Sequence, residues 1–500
     1  MKKVASSVVP VISIDRNGAK PVHRQIYDSY REAIMQGNLR PGQKIPSTRL
    51  FAVELGVSRY PVIEAYAQLV AEGYFESRVG AATIVSQDFP DRFTTAAPAL
   101  VKESLNSPSS RVSARRTALV GQLRASQWTR GLGAFGVGQV AYDQFPLQVW
   151  SRLVARRTRK MNVRSFHYGE QMGSIMLRQT VANYLRTARS VHCEPEQIMI
   201  VSGSQQAIAI TARVLLDPES SIWIEEPGYR FGADVFTLAG CNLVPVPVDK
   251  EGINVSEGIR RDRMARAALV TPSHQFPLGF TMSAARRLQL LTWAQDHGAW
   301  ILEDDYDSEY RYESLPIPSL QGMDAHGRVI YIGTFSKVLF PSLRLGYLVI
   351  PKDLIEFFLK TRHAMDLAPP TFYQDVVSDF IAEGHFERHI RRMRLLYRER
   401  RSLLVNSISE EFGEAVEIDG SEAGMHLVVS FKTSIDDRSV AERAGQQNLW
   451  VWPLTASYLK TPEKTGFILG FGSTASSDIP VAVRTLKKLV KEAPSRPIAI

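Results

Sequence analysis

The stretch Gly333-Thr334-Phe335-Ser336-Lys337-Val338-Leu339-Phe340-Pro341-Ser342-Leu343-Arg344-Leu345-Gly346-Tyr347 decides how this chain is read. One apolar run, Val329–Ile332, leads into it and another, Leu345–Val349, leads out. Short apolar runs of this kind predict buried strands. Between them stands a single lysine, with no acidic residue within ten positions on either side. A lysine amine attacks a carbonyl only when its surroundings deprotonate it. Apolar flanks do so by penalising the ammonium form. Lys337 is therefore read as a Schiff-base lysine, and Arg344, seven residues on, as an anion ligand. Taken alone, Lys337 would read as a surface lysine at a strand end; the residues around it reverse that.

Working outward, further apolar runs occur at Ile198–Val201, Ser221–Ile224, Leu243–Val246, Ala268–Val270 and Trp300–Leu302. Helical periodicity fills 170–188, 204–215, 229–239 and 283–297. Alternation of this kind predicts an α/β body with a buried, mostly parallel sheet. A long helical stretch from Tyr373 to Phe412 leads into a smaller α+β region, so a small subdomain is expected from about residue 375.

The chemistry implied by Lys337 makes four demands, those of a pyridoxal phosphate (PLP) site. The lysine must be joined by an acid facing the pyridine nitrogen, a dianion site and an aromatic face for the ring. Asp304 follows an apolar strand in Ile301-Leu302-Glu303-Asp304-Asp305-Tyr306, 33 residues before Lys337. It is the expected acid, and Tyr306 the expected partner of the ring's phenolic oxygen. A metal centre is the competing reading of this acidic cluster, but no histidine accompanies it, so none is assigned. Ser202-Gly203-Ser204-Gln205-Gln206 joins a strand to a helix, whose N–H groups favour an anion. Ser204, Gln205, Thr334, Ser336 and Arg344 make up the expected phosphate side. Tyr229, in Glu226-Pro227-Gly228-Tyr229, is the expected stacking ring.

The N-terminal end speaks a different language. Residues 21–37 predict an amphipathic helix with Ile26, Tyr30, Ala33 and Ile34 on one face. Ser47 can cap a second helix through Leu55. Gly56 ends it, and Ser58 can cap a third helix with Val62, Ala65, Tyr66 and Leu69 turned inward. Phe75 to Val85 alternates as a two-stranded wing around Gly80. This is the order of a winged helix-turn-helix in residues 1–85. Its third helix would enter a DNA major groove. Arg59 is the first candidate for a base contact, beside Ser58 and Arg49. Lys44, Ser47, Arg78 and Gly80 are the expected backbone contacts.

Two sets of residues carry a family resemblance. Gln25-Ile26-Tyr27, Leu39-Arg40-Pro41-Gly42, Pro46-Ser47-Thr48-Arg49, Leu55-Gly56-Val57-Ser58-Arg59 and Leu69 to Tyr74 resemble the GntR regulators. One departure is the wing, Gly80-Ala81-Ala82-Thr83, where the family commonly has Gly-Ser-Gly-Thr. The residues around Lys337 resemble fold-type I aminotransferases. So do Phe145-Pro146, Tyr168 to Gly173, Thr271 to Gly279 and Met282-Ser283. Both parts in this order resemble the MocR subfamily. That resemblance implies a PLP-dependent DNA-binding transcriptional regulator sensing PLP or a small amine or amino acid. The alternative is an active aminotransferase with an accessory DNA module. It also implies a domain-swapped homodimer in which Tyr168 reaches the partner's cofactor phosphate. Aminotransferases usually carry Asn-Pro-x-Gly where this chain has Phe276-Pro277-Leu278-Gly279. His274 or Gln275 are the candidates to replace that asparagine, and no arginine near Leu469-Gly470-Phe471-Gly472 stands out for a substrate carboxylate.

Bulk properties fit this division. Five hundred residues exceed one core. Residues 1–85 carry 11 Lys and Arg against 7 Asp and Glu, and residues 86–125 carry 6 against 3. Of the net charge of +9, therefore, all but +2 lies in the first quarter, as a polyanion partner would require. Residues 86–125, rich in Ser, Ala, Pro and Arg, are expected to be a linker, and 126–500 the effector body. Two cysteines suit a reducing cytoplasm. The start, Met1-Lys2-Lys3-Val4-Ala5, is not read as an export signal, and no stretch is long enough to span a membrane.

Overall fold

The computed structural model describes residues 12, 14–16, 20–77, 82–87, 113–123, 131–312 and 317–492. The chain divides into two units, Met1–Ser113 and Ala114–Ile500. Arg78 and Gly80 lie outside the described residues.

In the first unit, helices α1 (Val22–Met35), α2 (Thr48–Glu54) and α3 (Arg59–Ala71) precede strands β1 (Phe75–Glu76) and β2 (Ile84–Val85). The wing pairs antiparallel, Phe75 opposite Val85. Ser47 caps α2 by accepting from the Leu50 N–H at 3.3 Å. Ser58 occupies the N-cap position of α3, but its side chain accepts no capping bond. Four rings fix the helix angles: Tyr30 packs on Phe51, Tyr66 and Phe75 with centroids 5.2–5.6 Å apart. The buried hydroxyls are satisfied in series. Tyr30 and Tyr66 share a 3.0 Å bond, and Tyr66 donates to the Pro46 carbonyl. A polar chain of this kind holds the start of α2 against α3.

In the second unit the seven expected strands are present: β3 (Ile198–Val201), β4 (Ser221–Glu226), β5 (Asn242–Asp249), β7 (Ala267–Val270), β8 (Trp300–Asp305), β9 (Val329–Thr334) and β10 (Gly346–Val349). A short β6 (Gly252–Ile253) completes the sheet, whose order is β3-β10-β9-β8-β7-β4-β5-β6. The run β5-β4-β7-β8-β9 is parallel. Strand β10 runs against both neighbours, β9 and β3. Parallel strands deliver their C-terminal ends to one edge, where ligands of open α/β sheets bind. Asp304 and Thr334 arrive there from adjacent strands.

The smaller subdomain has a four-stranded antiparallel sheet, β11 (Val416–Asp419), β12 (His426–Phe431), β13 (Trp452–Pro453) and β14 (Gly466–Gly470), in the order β11-β12-β14-β13. The long helical stretch is two helices, Phe372–Ala382 and His385–Phe412. They are separated at Gly384, whose φ of 72° lies in the left-handed region. Phe135, Val140 and Ala141 bury their side chains in this subdomain's core, alongside Leu427, Phe467 and Phe471. Ala114–Gln122, within the stretch expected as linker, is helical and falls in the second unit.

Candidate functional site

A cavity of about 200 Å³ opens at the C-terminal edge of the parallel strands. Ser204, Gln205, Tyr229, Asp304, Tyr306, Thr334, Ser336, Lys337 and Arg344 all line it. Nine of the ten residues expected at the cofactor thus converge from the ends of four strands, β3, β4, β8 and β9. The tenth, Tyr168, does not line this cavity; it is 83% exposed on the surface.

Lys337 sits just beyond β9 in a tight turn closed by bonds from the Val338 and Leu339 N–H groups to the Phe335 carbonyl. Its Nζ donates to the Gly138 carbonyl at 3.1 Å. Burial holds this amine below its ordinary value, against the opposing pull of Asp307 and Asp304. That shift favours the deprotonated amine that imine chemistry needs.

Asp304, at the end of β8, is pushed up to about 7, by burial first and by Asp305 next. Its Oδ1 is buried without a hydrogen-bond partner. Such a group costs about 1–3 kcal/mol if left so. A pyridinium N–H would satisfy it, and this is the observation on which a PLP fit rests. The phosphate side fits as well. Helix Ser204–Leu215 starts at the cavity, and its first-turn N–H groups have no partner within the helix. Gly203 precedes it with φ of 84°, and a Cβ there would approach Arg344. The Arg344 guanidinium donates to the Ser202 carbonyl at 2.7 Å, which turns it over this helix start. The Thr334 hydroxyl accepts from the Ser336 N–H at 3.1 Å. The Tyr229 hydroxyl accepts from Gln205 at 3.2 Å, and burial raises it to about 12, so it stays protonated.

The two candidates for the missing asparagine part company. Gln275 is committed to its own loop, donating to Pro227 and Phe276 carbonyls and to Glu225. His274 acts through Tyr306: its Nδ1 meets the Tyr306 hydroxyl at 3.0 Å and Asp307 at 3.2 Å. Neither lines the cavity. The residues that sequence reasoning missed are Gly138, Phe231, Asp307, Met425, His426 and Trp452. Four glycines in eight residues, Gly131, Gly133, Gly136 and Gly138, were the available signal. A Cβ on Gly131 would overlap Trp450, and one on Gly138 would fall 2.2 Å from the Lys337 Nζ. His274, Asp307 and His426 form the cluster of metal-ligating groups found among the described residues. Their hydrogen bonds tie them to Tyr306 and to the Pro277 carbonyl.

In the other unit, α2 and α3 bring their N-termini together. Arg59 donates to the Thr48 hydroxyl at 3.2 Å. Lys44, Ser47, Arg49, Ser58 and Arg59 are all exposed. This is the arrangement of a helix that presents its first turn to a groove.

Fold and cavity together define a fold-type I body carried on a chain that opens with a winged helix. Residues 22–85 match the bacterial regulatory proteins of the gntR family, and residues 130–464 match aminotransferase class I and II. The chain is 38% identical over 480 residues to the probable rhizopine catabolism regulatory protein MocR of Rhizobium meliloti, covering 95% of each. It is 28% identical to the pyridoxine biosynthesis regulator PdxR of Corynebacterium glutamicum, over 92% of this chain and 94% of that one. A solved kynurenine aminotransferase of Pyrococcus horikoshii superposes with a TM-score of 0.70 at 27% identity, covering 78% of this chain and 99% of its own. The chain belongs to the MocR-type regulators of the GntR family, which carry an aminotransferase class I and II domain.

Two outcomes follow from the cavity. Gly138→Ala should keep the fold but displace the Lys337 amine, and lower PLP affinity at least about tenfold, since a lost charge-assisted contact is worth ~1.5–3 kcal/mol. Absorbance titration with PLP measures this. The second concerns pH. Burial pushes Glu225, Glu303, Asp304 and Glu309 each up to about 7. Between pH about 5 and 7 the folded chain holds protons that the unfolded chain has released, so stability falls as pH rises. The urea midpoint of the cofactor-free protein should decline across that window; a flat or rising profile would contradict the burial of these groups.

Proposed function

We propose that this chain is a PLP-binding transcriptional regulator, working in the cytoplasm, whose body senses PLP itself or a small amine or amino acid. What carries the reading is a depressed, partly buried lysine and an orphaned buried carboxylate in one cavity, on a chain with an arginine-headed winged helix. PLP supplies a carbonyl carbon that can hold an amine. The chain's own residues do the rest. Asp304 holds a proton at the pyridine nitrogen, and Tyr306, steadied by His274 and Asp307, serves the phenolic oxygen. The helix start at Ser204 and Gln205 takes the phosphate, together with Thr334, Ser336 and Arg344. Tyr229 packs on the ring, and Lys337 supplies the amine.

In the other unit, Arg59 and Arg49 read or anchor DNA, with Lys44, Ser47 and Ser58 on the phosphates. Arg78 and Gly80 complete the set from the sequence. The functional unit is a homodimer with exchanged DNA modules. Val163, Phe166 and Tyr168 support it, because three large side chains each at least 77% exposed on one short segment suit a partner surface. Tyr168 then reaches the partner's phosphate.

Purified protein incubated with PLP should gain the visible absorbance of a lysine-bound cofactor, and Lys337→Ala should abolish it. A wild-type protein that stays colourless defeats the cofactor reading. Arg59→Ala should weaken binding to an operator fragment by about 1–3 kcal/mol, and wild-type affinity should fall steeply with salt. Footprinting upstream of the chain's own gene locates the fragment, and salt-independent binding would count against DNA contact through the basic unit.

A further inference from the structure

The cavity wall facing away from the phosphate side is built from Phe231, Phe276, Met425, Trp452 and His426. The rings form one surface: Trp452 meets Phe231 at 5.7 Å and Phe276 at 6.1 Å between centroids, with near-perpendicular planes. Ile468, on the neighbouring strand, is fully buried in the same apolar cluster.

The charges on the lining are unevenly distributed. Among the described residues, its only side chains that carry a positive charge are Lys337 and Arg344. Both are committed: the first to the cofactor carbon, the second to the Ser202 carbonyl and the phosphate side. His426 donates its Nε2 proton to the Pro277 carbonyl at 3.0 Å, and burial, with His274 next, holds its ring down to about 3. It is neutral at any physiological pH. Against these stand two acids, Asp304 and Asp307. Asp307 lines the cavity, its side chain is buried, and its Oδ1 has no hydrogen-bond partner. Trp452 adds a buried Nε1–H that also lacks an acceptor.

A carboxylate brought into this cavity loses its hydration and meets no free cation among the described residues, while Asp307 repels it. A neutral N–H does not replace what the anion gives up. An amine faces the opposite balance, because Asp304 and Asp307 line the cavity and aromatic faces attract cations and apolar groups alike.

We infer that the effector of this cavity is a primary amine with no carboxylate, whose uncharged body packs on Phe231, Phe276 and Trp452. The inference rests on the proposed PLP site and narrows its ligand from amines and amino acids to amines alone. Displacement at the cofactor is balanced: one carbon–nitrogen bond forms to the incoming amine and one to Lys337 breaks. The bond exchanged is a C=N double bond, so the two hydrogens that the incoming nitrogen gives up end on the departing Nζ, and no oxidant or reductant enters.

The test uses the full-length protein loaded with PLP and two matched pairs, phenethylamine against phenylalanine and tyramine against tyrosine. Each pair differs only by the carboxylate. The readouts are the shift of the visible band and the melting temperature. The amine of each pair should half-saturate both changes at a concentration at least about tenfold lower than its amino acid, as expected when an unpaired charge must be buried. Equal or tighter response to the amino acid overturns the inference, as does a loaded protein that responds to neither class. A protein that never acquires the visible band fails earlier, at the cofactor reading itself.

Discussion

The geometry around Lys337 depends on a buried ion pair that does not touch the cavity. Arg189, at the end of helix Ile175–Arg189, donates to Asp305 at 2.8 Å, and both side chains are almost wholly buried. Arg189 also donates to the Ser273 hydroxyl and the Ile317 carbonyl, and Tyr331 donates to the same Asp305. A buried pair is weak in itself once desolvation is counted, but removing one member is costly. Here it does a positional job. Successive residues of β8 point to opposite faces of the sheet. With Asp305 anchored on one side, Asp304 must face the other, where the cavity lies. The unsatisfied Oδ1 of Asp304 is thus a local cost set against the anchored Oδ2 of its neighbour, which holds both Arg189 and Tyr331.

Much of this was legible in the chain. The strand runs were bounded by turn residues, and their apolar content left few choices. The loops after them then had to carry Ser204, Tyr229, Asp304 and Lys337 to one edge. The winged helix was legible through its caps and periodicity, apart from Ser58, whose position was right and whose capping bond is absent. Two kinds of feature were not legible. The direction of β10 depends on which strand it joins, and a four-residue apolar run carries no sign of that. The opposite wall was hidden for a different reason: His426 and Trp452 lie inside short strands of the smaller subdomain, where they read as ordinary core.

The division of labour between the two asparagine candidates follows the same logic. Sequence proximity made His274 and Gln275 equivalent. The backbone separates them, because Gln275 must satisfy the turn that carries Pro277, whereas His274 is free to reach Tyr306 and Asp307. His274 lies two positions before Phe276, which stands in the asparagine's place, and its contact is with the Tyr306 phenol.

Gly138 gives the cavity an immutable side. The surface nearest the Lys337 amine is main chain, contributed by a segment whose Phe135, Val140 and Ala141 are buried in the smaller subdomain. Main chain offers evolution nothing to exchange there, since any added carbon meets the lysine. Side-chain change at this cavity is open instead at the aromatic wall of Phe231, Phe276 and Trp452. A substitution on that wall leaves in place the main-chain bond that positions the Lys337 amine.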